Sequence, residues 1–355
     1  MDGVVRIGAA GGGILPGYNR PPQEETLDDG SGKEINRDGF GEITYPAERQ
    51  EIRNLLRETI SPAKRVYAMS KKATEFQRKI MAINYRGKEI FKPLNTGRID
   101  EHVFCIREWI ANVFFYKKDG TTIMIDAGYH YDRLAEKMRW LDIDPGSVGH
   151  ILITHQDTDH VGAVETDGGG LFRNAVLYIG EIENRYLTGE TRRRVYYGMY
   201  KLPKVRIDNR KKLLKDGDIF YIGNIKIECF LVPGHTWGHM AYLLDDRYLF
   251  TGDILWFGQD GGYSFINVLA EDNKLAVTSL ADLERKLKEK SVSPVIITGH
   301  TGWTDRLEFA FAHKDKICHA WRKQKPHDPT APYDGYDESD DTEEKAKSVP
   351  LTGRG

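Results

Sequence analysis

A chain of 355 residues with 40% hydrophobic residues and a formal net charge of −2 can bury a large core and has no global pull toward nucleic acid. Cys105, Cys229 and Cys318 are too few and too scattered for a disulfide framework, and none forms a Cys-x-x-Cys pair, so a reducing compartment is expected. No stretch approaches the roughly 18 apolar residues of a membrane helix, and Met1 to Arg6 lacks the basic-then-apolar layout of a signal peptide, which makes the cytoplasm the expected location and excludes a membrane partner.

Residues 1–45 are rich in Gly, Pro, Asp and Asn and read as an extended or disordered arm. Gly30-Ser31-Gly32-Lys33 is no phosphate loop, because Glu34 stands where a magnesium-binding hydroxyl is needed and no strand precedes it. Residues 46–94 read as a helical extension, with Ile52, Leu55, Leu56 and Ile60 at helical spacing and a break at Ser61-Pro62. From 51 to 98 there are 12 Lys or Arg against 4 Glu, either a solvated face or a docking surface.

A central domain over 95–322 alternates strand and helix patterns. The spacing predicts strands at 102–107, 111–117, 121–125, 149–154, 175–179, 218–222, 225–232, 240–245, 247–251 and 294–298. It predicts helices at 130–140, 159–164, 180–187, 272–289 and 306–320. Hairpin-like strands mixed with helices imply an α/β fold in which sheets are covered by helices on their outer faces. Residues 323–355 hold seven acids between Asp334 and Glu344 and read as a disordered tail.

Four of the predicted strands end in potential metal ligands. Ile151-Leu152-Ile153 leads into His155-Gln156-Asp157-Thr158-Asp159-His160, and three further apolar runs end at His235, Asp253 and His300. A lone histidine at a strand end is usually structural, but four junctions of this kind mark a site. Imidazole and carboxylate without thiolate suit Zn²⁺, Fe or Mn²⁺, and seven ligands suffice for two ions. His239, four residues beyond His235, precedes a strand pattern and is expected to support the loop rather than bind metal.

On these residues the chain resembles the metallo-β-lactamase-fold superfamily, whose signature is His-x-His-x-Asp-His followed by single His, Asp and His ligands. Asp126-Ala127-Gly128, Pro233-Gly234-His235 and Thr251-Gly252-Asp253 fit the same resemblance, which covers about residues 95 to 315. It implies an αβ/βα sandwich of two mixed β-sheets flanked by helices. It also implies a first metal held by His155, Asp157 and His235, a second held by Asp159, His160 and His300, and Asp253 as the bridge. Asp157 departs from the family histidine and is similar to the flavodiiron branch, where a Glu occupies this place.

The expected activity is that of a dinuclear metallohydrolase, in which a metal-bridging hydroxide attacks a lactone, ester or thioester, with Asp159 and Asp253 as catalytic carboxylates. Two divalent ions are the expected cofactors, zinc first, with iron or manganese as alternatives. A phosphodiesterase or nuclease of the same fold and a non-haem diiron redox enzyme are the alternative readings. Arg192, Arg193, Arg194, Tyr196 and Tyr197 lie between the ligand blocks, where this family shapes its pocket, and could clamp a carboxylate or carbonyl. The competing reading is a solvated face with tyrosines packed beneath it. Trp256, Phe257 and Trp303 are candidates for an apolar pocket wall. A small-molecule substrate is the expected partner; nucleic acid is not expected, and a homodimer is open.

Overall fold

The computed structural model describes residues 91–129, 131–165, 170–202, 204–316, 338–348 and 350–354. The expected arm over 1–45 and nearly all of the basic extension over 46–94 lie outside the described residues. So does Cys318, while Cys105 and Cys229 are free and buried.

A first sheet starts as a meander of β1 (Gly97–Arg98), β2 (Val103–Glu108), β3 (Ala111–Lys118) and β4 (Thr121–Ile125), all antiparallel neighbours. Helix α1 (Tyr131–Trp140) crosses over to β5 (Val148–Ile153), which lies parallel to β4. The short helix α2 (Thr158–Val161) follows, then β6 (Val176–Gly180), parallel to β5. After α3 (Asn184–Thr188) come a small hairpin of β7 (Arg194–Val195) and β8 (Tyr200–Lys201) and then β9 (Lys211–Leu214), which completes the seven-stranded sheet beside β6.

The second sheet contains β10 (Ile219–Ile222), β11 (Ile225–Leu231), β12 (Met240–Leu244) and β13 (Tyr248–Phe250). A separate hairpin of β14 (Leu255–Phe257) and β15 (Gly262–Ser264) precedes α4 (Asn273–Glu289), β16 (Val295–Thr298) and β17 (Gly302–Thr304). Strands β13 and β16 pair in parallel and give the order β10-β11-β12-β13-β16-β17.

Side-chain alternation with period two sorts each strand into two faces. Phe114 and Tyr116 of β3, Leu152 of β5 and Met240, Tyr242 and Leu244 of β12 meet in a core between the sheets. Val113, Phe115, Ile151 and Ile153 face the other way and pack on Leu134 and Met138 of α1. Ala241, Leu243, Leu249 and Ile296 leave the second sheet outward, against Ala276, Leu280, Leu283 and Leu287 of α4. Three apolar layers between helix, sheet, sheet and helix make the αβ/βα sandwich.

Acidic composition predicted disorder over 323–355, and the described part of that segment is ordered against the domain. Asp341 accepts from Thr96 N at 2.5 Å and Thr96 Oγ1 at 2.8 Å, and lies 2.7 Å from Lys137 Nζ. Lys137 also binds Glu338 at 2.9 Å, and Arg107 binds Asp340 at 3.1 Å. Composition records the charges of this segment but not the buried cations that await them on β2 and α1. A short helix α5 (Leu307–Ala310) replaces the expected 306–320 helix within the described residues, and α6 (Glu343–Ser348) lies in the docked segment.

Candidate metal centre

Strand direction explains why the ligands converge. β11 and β13 each pair antiparallel with β12, and β16 runs parallel to β13, so β11, β13 and β16 end at one edge of the second sheet. His235, Asp253 and His300 follow those three ends. β12 runs the opposite way, so its start, just after His239, reaches the same edge. From the first sheet, β5 ends at Ile153 and delivers His155, Asp157, Asp159 and His160 through the turn into α2.

Two groups of ligand atoms result. Asp159, His160, Asp253 and His300 form one, and His155, His235 and Asp253 form the other, with the atoms of each within 4.8 Å of one another. Asp253 belongs to both, as a bridging carboxylate requires. Its Oδ2 lies 3.1 Å from His300 Nε2, 3.7 Å from His235 Nε2 and 3.9 Å from His155 Nε2, and its Oδ1 is 3.4 Å from His160 Nε2. Gly299 keeps the space open, since a Cβ there would stand 2.7 Å from Asp253 Oδ1 and 3.0 Å from the His160 ring.

Asp126, at the end of β4 with φ 58, sets the proton positions of two histidines. It accepts from Thr154 N at 2.8 Å and from the Thr154 hydroxyl at 2.9 Å, and its Oδ2 is 2.8 Å from His160 Nδ1. The only hydroxyl proton of Thr154 is thereby used, so its oxygen accepts from His155 Nδ1 at 3.0 Å. Both rings carry hydrogen on Nδ1 and turn Nε2 inward. His300 Nδ1 donates to the Ile110 carbonyl at 2.5 Å and does the same. A ligating histidine is commonly held in this way by a partner behind it.

The consequence is a set of buried atoms that could hold a cation. His160 Nε2 and His300 Nε2 face each other at 3.4 Å. His155 Nε2 and Asp253 Oδ1 are buried without any hydrogen-bond partner in the described residues. A pair of divalent ions fits this donor set of imidazole and carboxylate. Without metal a proton takes part of that place. Burial pulls the His300 pKa down, but Asp253 and Asp159 outweigh it and push it up to about 10. Burial first, and then the His160 and His235 rings beside it, hold the His155 pKa well below the ordinary histidine value.

His239 Nε2 accepts from the Asp253 backbone N–H at 3.0 Å, the supporting role expected of it, and its ring stacks on His155 at 4.9 Å. His102, His150 and His313 stand outside the cluster, engaged with Lys117 O, Tyr178 and Asp260 respectively.

The arginine segment divides. Arg192 is exposed, Arg194 half-buried, and Arg193 buried. Arg193 donates from Nε to Asp157 Oδ1 and from NH2 to Asp157 Oδ2, both at 2.8 Å. Its remaining donors reach Arg194 O at 2.8 Å and Leu269 O at 2.7 Å. It is therefore no substrate clamp; the sequence shows three consecutive arginines but not that the one just before β7 is buried. Asp157 keeps its Oδ2 at 3.2 Å from His235 Nε2 and 3.7 Å from His155 Nε2, at the rim of the first group. Tyr196 and Tyr197 project from the turn between β7 and β8, and both are exposed.

Trp256 and Phe257 are buried core residues, and the aromatic faces against the ligands belong instead to Phe91 and Phe265. Phe265 meets His235 edge-on at 5.0 Å and Phe91 lies 5.0 Å from His300. No local motif distinguishes these two residues in the sequence. Two buried acids were equally silent: Glu183 accepts from Gln156 N and the Thr236 hydroxyl, and Glu271 accepts from Arg194 N and bonds Tyr186.

Residues 106–300 match the model of the metallo-beta-lactamase superfamily. A hydroxyacylglutathione hydrolase from Buchnera aphidicola is 32% identical over 148 residues, 41% of this chain and 47% of that protein. A probable polyketide biosynthesis zinc-dependent hydrolase BaeB from Bacillus velezensis is 30% identical, over 38% of this chain and 49% of that protein. The chain thus spans about half the length of these curated relatives. Among solved structures, a metallo-beta-lactamase from Pontibacter korlensis aligns with TM-score 0.48 at 16% identity, covering 65% of this chain and 100% of that one. With more than half of its length inside the family match, the chain belongs to the metallo-beta-lactamase superfamily.

Proposed function

We propose that this protein is a metal-dependent hydrolase with a two-ion centre, cleaving a thioester, lactone or other carboxylic ester. The observation that carries this reading is the inward set of imidazole nitrogens and carboxylate oxygens, above all the two Nε2 atoms 3.4 Å apart and the His155 Nε2 with no hydrogen-bond partner in the described residues. Divalent ions held there supply Lewis acidity and lower the pKa of water to about 7, which makes a nucleophile available at neutral pH.

The chain's own residues do the rest. His155, His235 and Asp253 would hold one ion and Asp159, His160, Asp253 and His300 the other, with Asp126, Thr154, His239 and the Ile110 carbonyl fixing ring orientation and proton position. Asp253 is buried and shared, while Asp159 is partly exposed at the mouth, where it can reach a bound substrate. Phe91 and Phe265 shield one side of the ligands from water. The names of two relatives, a hydroxyacylglutathione hydrolase and a probable polyketide biosynthesis zinc-dependent hydrolase, support acyl chemistry and zinc. The redox reading loses its motive, since Asp157, the residue that raised it, has both oxygens bound by Arg193.

Full-length protein stripped by chelator and reloaded with Zn²⁺, Mn²⁺ or Fe²⁺ should be assayed on thioester, lactone, phosphodiester and β-lactam substrates. Hydrolysis of a thioester or lactone that vanishes on chelation and returns with metal is the expected result. Turnover confined to phosphodiesters, or unaffected by chelation, would overturn it.

A further inference from the structure

The two ligand groups differ in one respect that matters for metal loading. The second group, around His160 and His300, has no Lys or Arg ion-paired to it among the described residues, and both rings are backed by acceptors. The first group has Arg193. Its NH2 lies 3.2 Å from His235 Nε2 and donates to Asp157 Oδ2 at 2.8 Å. A guanidinium has only donors and stays charged at any working pH; both NH2 hydrogens go to Asp157 Oδ2 and the Leu269 carbonyl, and the charge stands against the His235 nitrogen that a metal would need. Asp157, the residue in place of the family histidine, is bound by the same guanidinium through both oxygens. Behind it, His235 Nδ1 is buried with no hydrogen-bond partner in the described residues, unlike the backed rings of the second group.

The arginine is held there by the fold. Its side chain is only 1% exposed, the Leu269 and Arg194 carbonyls take its other hydrogens, and Glu271 stands 4.0 Å away. Leu202 N donates to the Arg193 carbonyl at 2.9 Å and Arg194 N donates to Glu271, which pins the backbone on both sides.

We propose that Arg193 is a built-in cation of the first subsite: it engages both oxygens of Asp157, holds a fixed positive charge against His235 and makes the two metal positions unequal. The second subsite then loads first and retains its ion, and the first fills only at higher metal concentration. This rests on the proposed two-ion reading and goes beyond it by assigning the residue that sets the order of loading. A point charge next to a divalent ion opposes it by Coulomb repulsion, weakly screened in a buried site.

Zn²⁺ titration of the metal-free full-length chain against a chromophoric competitor, with elemental analysis after dialysis, tests this directly. The wild type should show one tight equivalent and a second about tenfold or more weaker. The tight one should disappear in His300→Ala and survive in His235→Ala. Arg193→Met should strengthen the weaker equivalent by about tenfold or more. Should that variant misfold with Asp157 left unpaired, Arg193→Met/Asp157→Asn removes both charges, and the first subsite should still bind at least as well as in the wild type. Two equal equivalents in the wild type, or a weaker constant unchanged by Arg193→Met or reduced in the double variant, would overturn the role of Arg193 and leave the two-ion reading intact. No bound zinc in any form would overturn that reading itself.

Discussion

Glu183 shows how much of this centre depends on residues that touch no ligand atom. It is fully buried, bonded to Gln156 N and Thr236 Oγ1, and burial raises its carboxyl pKa to about 8. The folded pKa lies above the unfolded value near 4.5, so the folded chain binds the extra proton. Its stabilising share is full below about pH 4.5 and is lost as pH rises through about 8. Between those limits this one group contributes a slope of about 1.4 kcal/mol per pH unit. Glu183→Gln copies the protonated form, accepting from Gln156 N and donating to Thr236, and should flatten the fall in stability between pH 5 and 8 relative to wild type. Parallel denaturant melts of the metal-free proteins at both pH values give the answer, and identical slopes would show that Glu183 does not titrate there. The candidate ligands that the structure brings together were legible from the sequence because their blocks follow apolar runs. Glu183, Glu271, Phe91 and Phe265 were not, because they reach the site from positions with no motif and meet it only through tertiary packing.

At the scale of elements, most strands and the long helix were readable from periodicity: the expected 272–289 helix forms as Asn273–Glu289, started by Asp272 accepting from Leu275 N at 2.9 Å. Short elements were not, since two or three residues carry no period. The β7–β8 hairpin is the costliest miss. It buries Arg193 and leaves Tyr196, Tyr197, Met199 and Tyr200 at 44, 59, 70 and 53% exposure. Tyr196 and Tyr197 also hold φ 52 and 58, an uncommon backbone for residues with a side chain. An exposed apolar tip next to the ligands suits contact with the acyl part of a substrate. Replacing Tyr196 and Met199 by Ala should change stability by no more than about 0.5 kcal/mol, as at other exposed sites. It should raise KM for the best long-chain thioester several-fold and leave kcat nearly unchanged. An unaltered KM would assign the tip no part in binding. The 338–348 segment makes the opposite case, an element dismissed on composition that carries a buried ion cluster. Asp341→Ala leaves Lys137 and Thr96 with fewer acceptors and should destabilise the protein by about 3–5 kcal/mol. A melting temperature within a degree of wild type would mean the docked segment adds nothing.

For the whole molecule, the layered sandwich is what brings the ligands to one place. Two sheets meet through one core, and their edges lie together where β5, β11, β13 and β16 end. The sequence showed four strand ends with candidate ligands but not that a fifth strand, β12, runs the other way and places His239 behind Asp253. The central claim is that this edge is a two-ion centre bridged by Asp253. A crystal structure of the full-length chain grown with excess Zn²⁺, with anomalous data at the zinc edge, tests it most directly. Two zinc peaks are expected, one against His155 and His235 and one against Asp159, His160 and His300, with Asp253 in ligand contact with both at about 2.0–2.2 Å. A cleft without zinc, or Asp253 more than about 4 Å from every peak, beyond any ligand bond, would contradict the account.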